Sequence, residues 1–198
     1  LFSLPNIERV QISGRDQVFY RVGGTLSENG PWEIIVPNES HEFIQLNSLT
    51  LYGQVKVTKP ANANVAAADK ISVVNNMPQA LFNHINVYLN GVVVNDQANS
   101  QYHYKAFLEN HFSFGESIKK TTLKATEKYI KDVAGKEEDF SSEAITERNA
   151  LIKDGKVLHF AMKIHNDLLQ SNRYLLPGVE MKIEFKKNDP GFPLLAEN

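Results

Sequence analysis

Hydrophobic residues along this chain recur mostly at every second position. Ile85, Val87 and Leu89 alternate with Asn86, Tyr88 and Asn90, the spacing of a strand with one buried face. Asn90-Gly91 separates this run from Val92, Val93 and Val94. A two-residue type I′ turn needs positive φ at both central positions, which Asn-Gly tolerates well, so a tight hairpin is predicted. The period then changes. Tyr104, Phe107, Leu108, His111 and Phe112 fall at i, i+3, i+4, i+7 and i+8, one face of a helix. Asn99 or Ser100 is expected to cap its start and Gly115 to end it. The aromatic face is expected to pack inward, with Phe107 in the core and His111 hydrogen-bonded beside it.

Alternation continues on both sides. Residues 17–22 place Val18, Tyr20 and Val22 on one face. Residues 32–36 form a second short strand closed by Pro37-Asn38, with Trp32 as a core or interface anchor. Residues 43–59 carry the longest pattern: Leu49, Leu51, Val55 and Val57 against Thr50, Tyr52, Gln54, Lys56 and Thr58. Gly53 interrupts the apolar row and marks a bulge or a close approach. Residues 71–74 are a short strand candidate. Residues 156–165 point Leu158, Phe160, Met162 and Ile164 inward and His159 and His165 outward. Residues 179–187 oppose Val179, Met181, Ile183 and Phe185 to Glu180, Lys182, Glu184 and Lys186.

Between Gly115 and Asp154 charges are dense and balanced, so this excursion is expected to be solvated, with Phe140-Ser141-Ser142-Glu143 offering an N-cap before a weak helix over 143–151. Strands separated by Gly, Pro and Asn turns, each wet on one face, predict an all-β, antiparallel β-sandwich with a helical insertion after the central hairpin. The expected organisation is an N-terminal arm over 1–16, one domain over 17–187 containing the excursion 115–154, and a linker over 188–198. With no initiator methionine, the chain is expected to be a piece of a longer one.

Composition narrows the chemistry. The chain has 198 residues, a formal net charge of −2 and no cysteine. Disulfides, zinc–thiolate sites and thiol nucleophiles are therefore excluded, and the lack of cysteine suits a reducing compartment. No basic block advertises specific nucleic-acid binding, and no apolar run reaches the ~20 residues of a membrane helix. His159 and His165 lie ~20 Å apart on one strand face, and His103 and His111 ~12 Å apart on a helix; neither pair can share an ion. There is no G-x-S-x-G elbow, and Gly23-Gly24 lacks the Lys-Ser/Thr of a phosphate loop. Glu137, Glu138 and Asp139 form a surface charge run without pocket walls. Tyr102, Tyr104, Phe107, Phe112 and Phe114 could stack on bases, but Lys105 is the only cation among them, and core packing is favoured. No catalytic residue, metal ligand or cofactor site is expected.

The run from Asn75 through Asn76, Met77, Pro78, Leu81, Phe82 and Val87 to Leu89-Asn90-Gly91, followed by Tyr102-His103-Tyr104-Lys105-Ala106-Phe107-Leu108-Glu109, resembles the major capsid proteins of Polinton (Maverick) elements and adintovirus-like viruses. Residues 43–59 and 164–185 extend the likeness, which covers roughly 43–185. The resemblance implies a double jelly roll of which this chain is the first, with Asn90, Gly91, Trp32, Tyr104, Phe107, Leu108 and Phe112 as structural residues. It implies a structural, non-enzymatic protein of the virion shell, made inside the host cell. Its partners would be itself, as a homotrimer forming pseudo-hexameric capsomers, and minor capsid proteins. A single jelly-roll minor capsid protein, a β-sandwich module binding carbohydrate or protein, and a metal-dependent cupin-like enzyme are the alternatives.

Overall fold

The computed structural model describes residues 17–23, 30–37, 43–94 and 101–197. The arm at 1–16 and the cap candidates Asn99 and Ser100 lie outside the described residues. In chain order the strands are β1 (Trp32–Val36), β2 (Ile44–Gln45), β3 (Leu51–Lys56), β4 (Thr58–Lys59), β5 (Ala63–Asn64) and β6 (Ile71–Val73). Helix α1 (Met77–Ala80) precedes β7 (Phe82–Leu89) and β8 (Val92–Val93). The helices α2 (Tyr102–Ser113), α3 (Glu116–Ile118), α4 (Lys124–Glu127) and α5 (Glu143–Asn149) follow, with a π-helical turn, Lys119–Leu123, joining α3 to α4. The chain ends with β9 (Val157–Met162), β10 (Tyr174–Leu175), β11 (Met181–Lys187) and β12 (Leu194–Ala196). The described fold is mainly strands in antiparallel sheets, with helices added, and is consistent with a β-sandwich.

The pairing is nested. β1 pairs with β11, β2 with β10 and β3 with β9, all antiparallel. The largest sheet has the order β1-β11-β7-β8. Alternation decides which faces meet. Met181, Ile183 and Phe185 of β11 and Leu158, Phe160 and Met162 of β9 are buried in one cluster with Val36, Ile85 and Val87. Sheets from both ends of the sequence therefore share one core, as apolar faces must. On β7 the register shifts so that Lys186 faces His84 and Lys187 faces Phe82, leaving Asn83 as the extra residue. This bulge reverses the phase of the strand and lets Phe82 and Ile85 both point inward. Phe82 packs 5.3 Å from Phe185 and edge-on to Trp32 at 6.1 Å, ring centre to ring centre.

The β7–β8 hairpin has Asn90 at φ 48° and Gly91 at φ 78°, with Leu89 opposite Val92. Both central residues are thus left-handed, as a type I′ turn requires. Four expectations need correction. Residues 17–22 form no strand, though Tyr20 packs against the core. Residues 43–59 are broken by a 3₁₀ turn, Leu46–Ser48, and by Val57. The 188–198 segment is no linker in its described part: β12 pairs with β6, and Glu197 forms an ion pair with Lys70. The 115–154 excursion is not simply solvated, because Leu123, Tyr129, Ile145, Arg148 and Ile152 are buried. Arg148 donates through its two terminal nitrogens to Ile130 O (2.7 Å) and to Asp132 Oδ1 (2.5 Å), which offsets part of the cost of burying a guanidinium, while its Nε is buried without a partner among the described residues.

Gly53 lies directly opposite Phe160, and a Cβ there would clash with Phe160 Cζ. Gly91 has open space around it and needs glycine for φ alone. Gly53→Ala is predicted to destabilise by about 1–3 kcal/mol through overpacking, and Gly91→Ala by about 1 kcal/mol through backbone strain. In a Phe160→Leu background the first penalty should shrink and the second should persist. Denaturant titrations of each glycine variant in the two backgrounds check this. A Gly53→Ala penalty that stays the same after Phe160→Leu would refute the steric account.

Candidate functional site

Helix α2 faces the opposite way from its apolar pattern. Tyr102, His103, Ala106 and Asn110 are its buried residues. Tyr104 (54% exposed), Phe107 (41%), Leu108 (51%) and Phe112 (77%) lie on the solvent side. The expectation that this aromatic face packs in the core is thereby corrected. His111 sits half-buried among these rings, stacked on Phe107 at 5.9 Å and edge-on to Phe112 at 5.0 Å.

Polar partners decide the orientation. Glu127, at the end of α4, is buried. Its Oε2 accepts from Asn110 Nδ2 (2.8 Å) and Gln79 Nε2 (3.0 Å), and its Oε1 accepts from the backbone N–H of Lys163 (3.2 Å). Gln79 Nε2 also donates to Lys163 O at 3.0 Å. Tyr102 donates its hydroxyl to Gln79 Oε1 (2.6 Å) and accepts from the His165 backbone N–H (3.2 Å). Burial pushes the Tyr102 phenol far above its usual range, so it stays a donor. A buried carboxylate must be hydrogen-bonded; here the donors come from α1, α2 and the end of β9. Ala106 adds no bulk, so α2 can approach closely enough for Asn110 to reach. The side-chain donors of this network are used within it, and Asn110 Oδ1 is the one acceptor left buried without a partner among the described residues, so it reads as a structural keystone.

The remaining sequence candidates separate. His159 is exposed, whereas His165 is buried, contrary to expectation, and holds Glu109 Oε2 at 2.5 Å through Nδ1. The His103 ring packs at a tilt against Tyr104 (4.4 Å) and Phe192 (4.3 Å), and Asn188 Nδ2 lies 3.3 Å from its Nδ1. Burial holds the His103 pKa below the ordinary histidine value. Among the described residues, no three His, Asp or Glu side chains are grouped to hold a metal ion. Glu138 and Asp139 line an open groove of about 460 Å³ with Asp69, Lys70, Asn149 and Glu197. Asp139 there caps the Ser141 N–H (2.9 Å) and takes the Ser141 hydroxyl at 2.5 Å, so it serves its own loop. Trp32 anchors the β1 edge, with Lys187 Nζ 5.4 Å from its ring centre. Asn90 and Gly91 form the turn, beside exposed Val92, Val93 and Val94.

What remains as a surface able to act on something else is the α2 face: four large apolar residues and a histidine on one side of a three-turn helix. Contiguous exposed apolar residues of this kind mark contact sites. The sequence pattern flagged these residues, but their solvent exposure could be found only from the buried side of the same helix.

Comparison with known proteins adds one relative. An uncharacterized protein of Caenorhabditis elegans is 25% identical over 177 residues, covering 85% of this chain and 40% of that protein. The chain thus spans less than half the length of the curated relative it matches. No family model and no solved structure matches the chain. Among the described residues, no helix is long and apolar enough to cross a membrane.

The two sides of α2 should respond differently to substitution. Glu127→Ala should strand buried donors at about 1–3 kcal/mol each, whereas Phe112→Ser should change stability by no more than ~0.5 kcal/mol. Equal melting shifts for the two would contradict the assignment of buried and exposed sides. For His103, the fold favours the neutral ring, so the unfolded chain binds more protons in acid. Its contribution is fully present above the ordinary histidine pKa, ~6.5, and is lost as pH falls through that value toward the lower folded one. His103→Gln should therefore flatten the acid limb of a stability–pH profile; an unaltered limb would rule out His103 as its source.

Proposed function

We propose that this chain is a jelly-roll unit of a structural capsid protein, the first barrel of a double jelly-roll major capsid protein of the Polinton type. The observation that carries this reading is the nested pairing β1–β11, β2–β10 and β3–β9. A jelly roll is an antiparallel ribbon wrapped on itself, so its first strand meets its last and its next strand the last but one. The order β1-β11-β7, with β7 also beside β11, the last long strand, supports the same wrapping, while the short β12 that follows pairs with β6 outside it. The Polinton-like segments supply the choice of a capsid protein over other jelly rolls, since fold alone does not assign function. More than half of the C. elegans relative lies outside the matched stretch, which is room for a second barrel.

In this reading the chain carries out no catalysis. It packs with copies of itself into a homotrimer that serves as a pseudo-hexameric capsomer, contacts minor capsid proteins and resides in the virion shell. Cyclic closure leaves no open contact within the ring. The α2 face is the surface such a subunit would bury against a neighbouring copy. The same exposed rings favour a second reading, a β-sandwich module that stacks carbohydrate on Tyr104, Phe107 and Phe112.

Sedimentation of the full-length gene product is expected to give a trimer. Phe107→Ser/Phe112→Ser should shift it toward monomer without lowering the melting temperature. A monodisperse monomer at micromolar concentration would count against the capsid reading, and glycan binding by that monomer would establish the alternative.

A further inference from the structure

The chain between α3 and α4 is a π-helical turn, Lys119–Leu123. Such turns widen the helix by a residue and often sit at functional positions. Here Lys119 is turned inward until its side chain is only 8% exposed, yet among the described residues its ammonium meets one acceptor, Glu116 Oε1 at 3.3 Å. An ammonium has three donors, and a buried one with a single long bond is under-compensated. Lys120, Lys124 and Lys131 converge on the same hollow, about 180 Å³ in volume, with Tyr129 as part of its wall. Lys124 is shared with Glu147 at 2.6 Å, outside the hollow. Lys119, Lys120 and Lys131 thus share a hollow whose lining holds one carboxylate, Glu116. Glu116 registers the field: its pKa is held down first by the Lys119 hydrogen bond, with Lys131 and Lys120 adding to it.

We propose that this hollow binds a phosphate group, with Lys119 as the buried donor and Lys120 and Lys131 as the exposed clamp. Its small volume suits a single phosphoryl group, and ammonium point charges suit its spherical charge. Because the whole chain carries a formal charge of −2, attraction to a polyanion must come from a local patch and not from the net charge. The phosphate could belong to a nucleic-acid backbone or be free in solution. This inference does not depend on the capsid reading.

The test uses short duplex DNA in fluorescence anisotropy and inorganic phosphate in thermal-shift titration. Lys120→Gln/Lys131→Gln is compared with Lys56→Gln/Lys186→Gln, which removes the same charge from exposed strand positions. For DNA, the observed binding constant should fall with salt at a log–log slope of about −2 to −3. The Lys120/Lys131 variant should reduce that slope by about 2, and the strand variant should not. DNA binding with this pattern supports the site and identifies a backbone phosphate. Stabilisation by inorganic phosphate alone, lost in the same variant, supports the site and identifies a free anion. Binding of neither probe, or equal binding by both variants, overturns the proposal.

Discussion

The Glu127 carboxylate organises the interior on the helical side of this fold. A charge with so little contact with water survives only where hydrogen bonds replace its hydration. Its three donors belong to Gln79, Asn110 and the backbone of Lys163. Satisfying one residue therefore fixes α1 and α2 against the end of β9. Tyr102 extends the arrangement by bridging Gln79 to the backbone of His165. Every carboxylate and amide nitrogen in it has a partner and only Asn110 Oδ1 is left without one among the described residues, so the network comes close to the condition under which buried polar groups specify one arrangement.

That constraint reaches the surface. With Asn110 and Tyr102 drawn inward, 3.6-residue periodicity sends Phe107, Leu108 and Phe112 outward. The apolar face of α2 is thus a by-product of where its polar side chains find partners, and it becomes the best contact surface among the described residues. Helix α5 is held in a related way: Arg148 reaches back to the chain at Ile130 and Asp132, and Asn149 donates to Ile71 O at 2.6 Å. Hydrogen bonds from Asn149 to Ile71 O and from Ser72 Oγ to Ile145 O join α5 to the strand β6.

The strand framework has a different origin. Nested antiparallel pairs bring the two ends of the domain together, so the residues closing the core, Val36 and Met181 among them, are far apart in sequence. Two local devices set its phase. The bulge at Asn83 turns Phe82 into the core, and Gly53 makes room for the Phe160 ring.

Alone, the sequence determined the local elements whose cause is local. Period-2 alternation located β3, β7, β9 and β11, Asn90-Gly91 determined the hairpin, and Ser142 marked the start of α5. Gly53 announced a bulge or a close approach without choosing between them, and nothing in the spacing named Phe160 as the neighbour. Tertiary structure alone decided which strands pair, that residues 194–196 return to β6, and that α2 buries Ala106 and Asn110 in preference to Phe107 and Leu108. The reason is physical. Apolar periodicity reports a face that could be buried, whereas the face that is buried depends on a carboxylate seventeen residues beyond Asn110 and on the backbone amide of Lys163 just after β9, and no spacing rule records either.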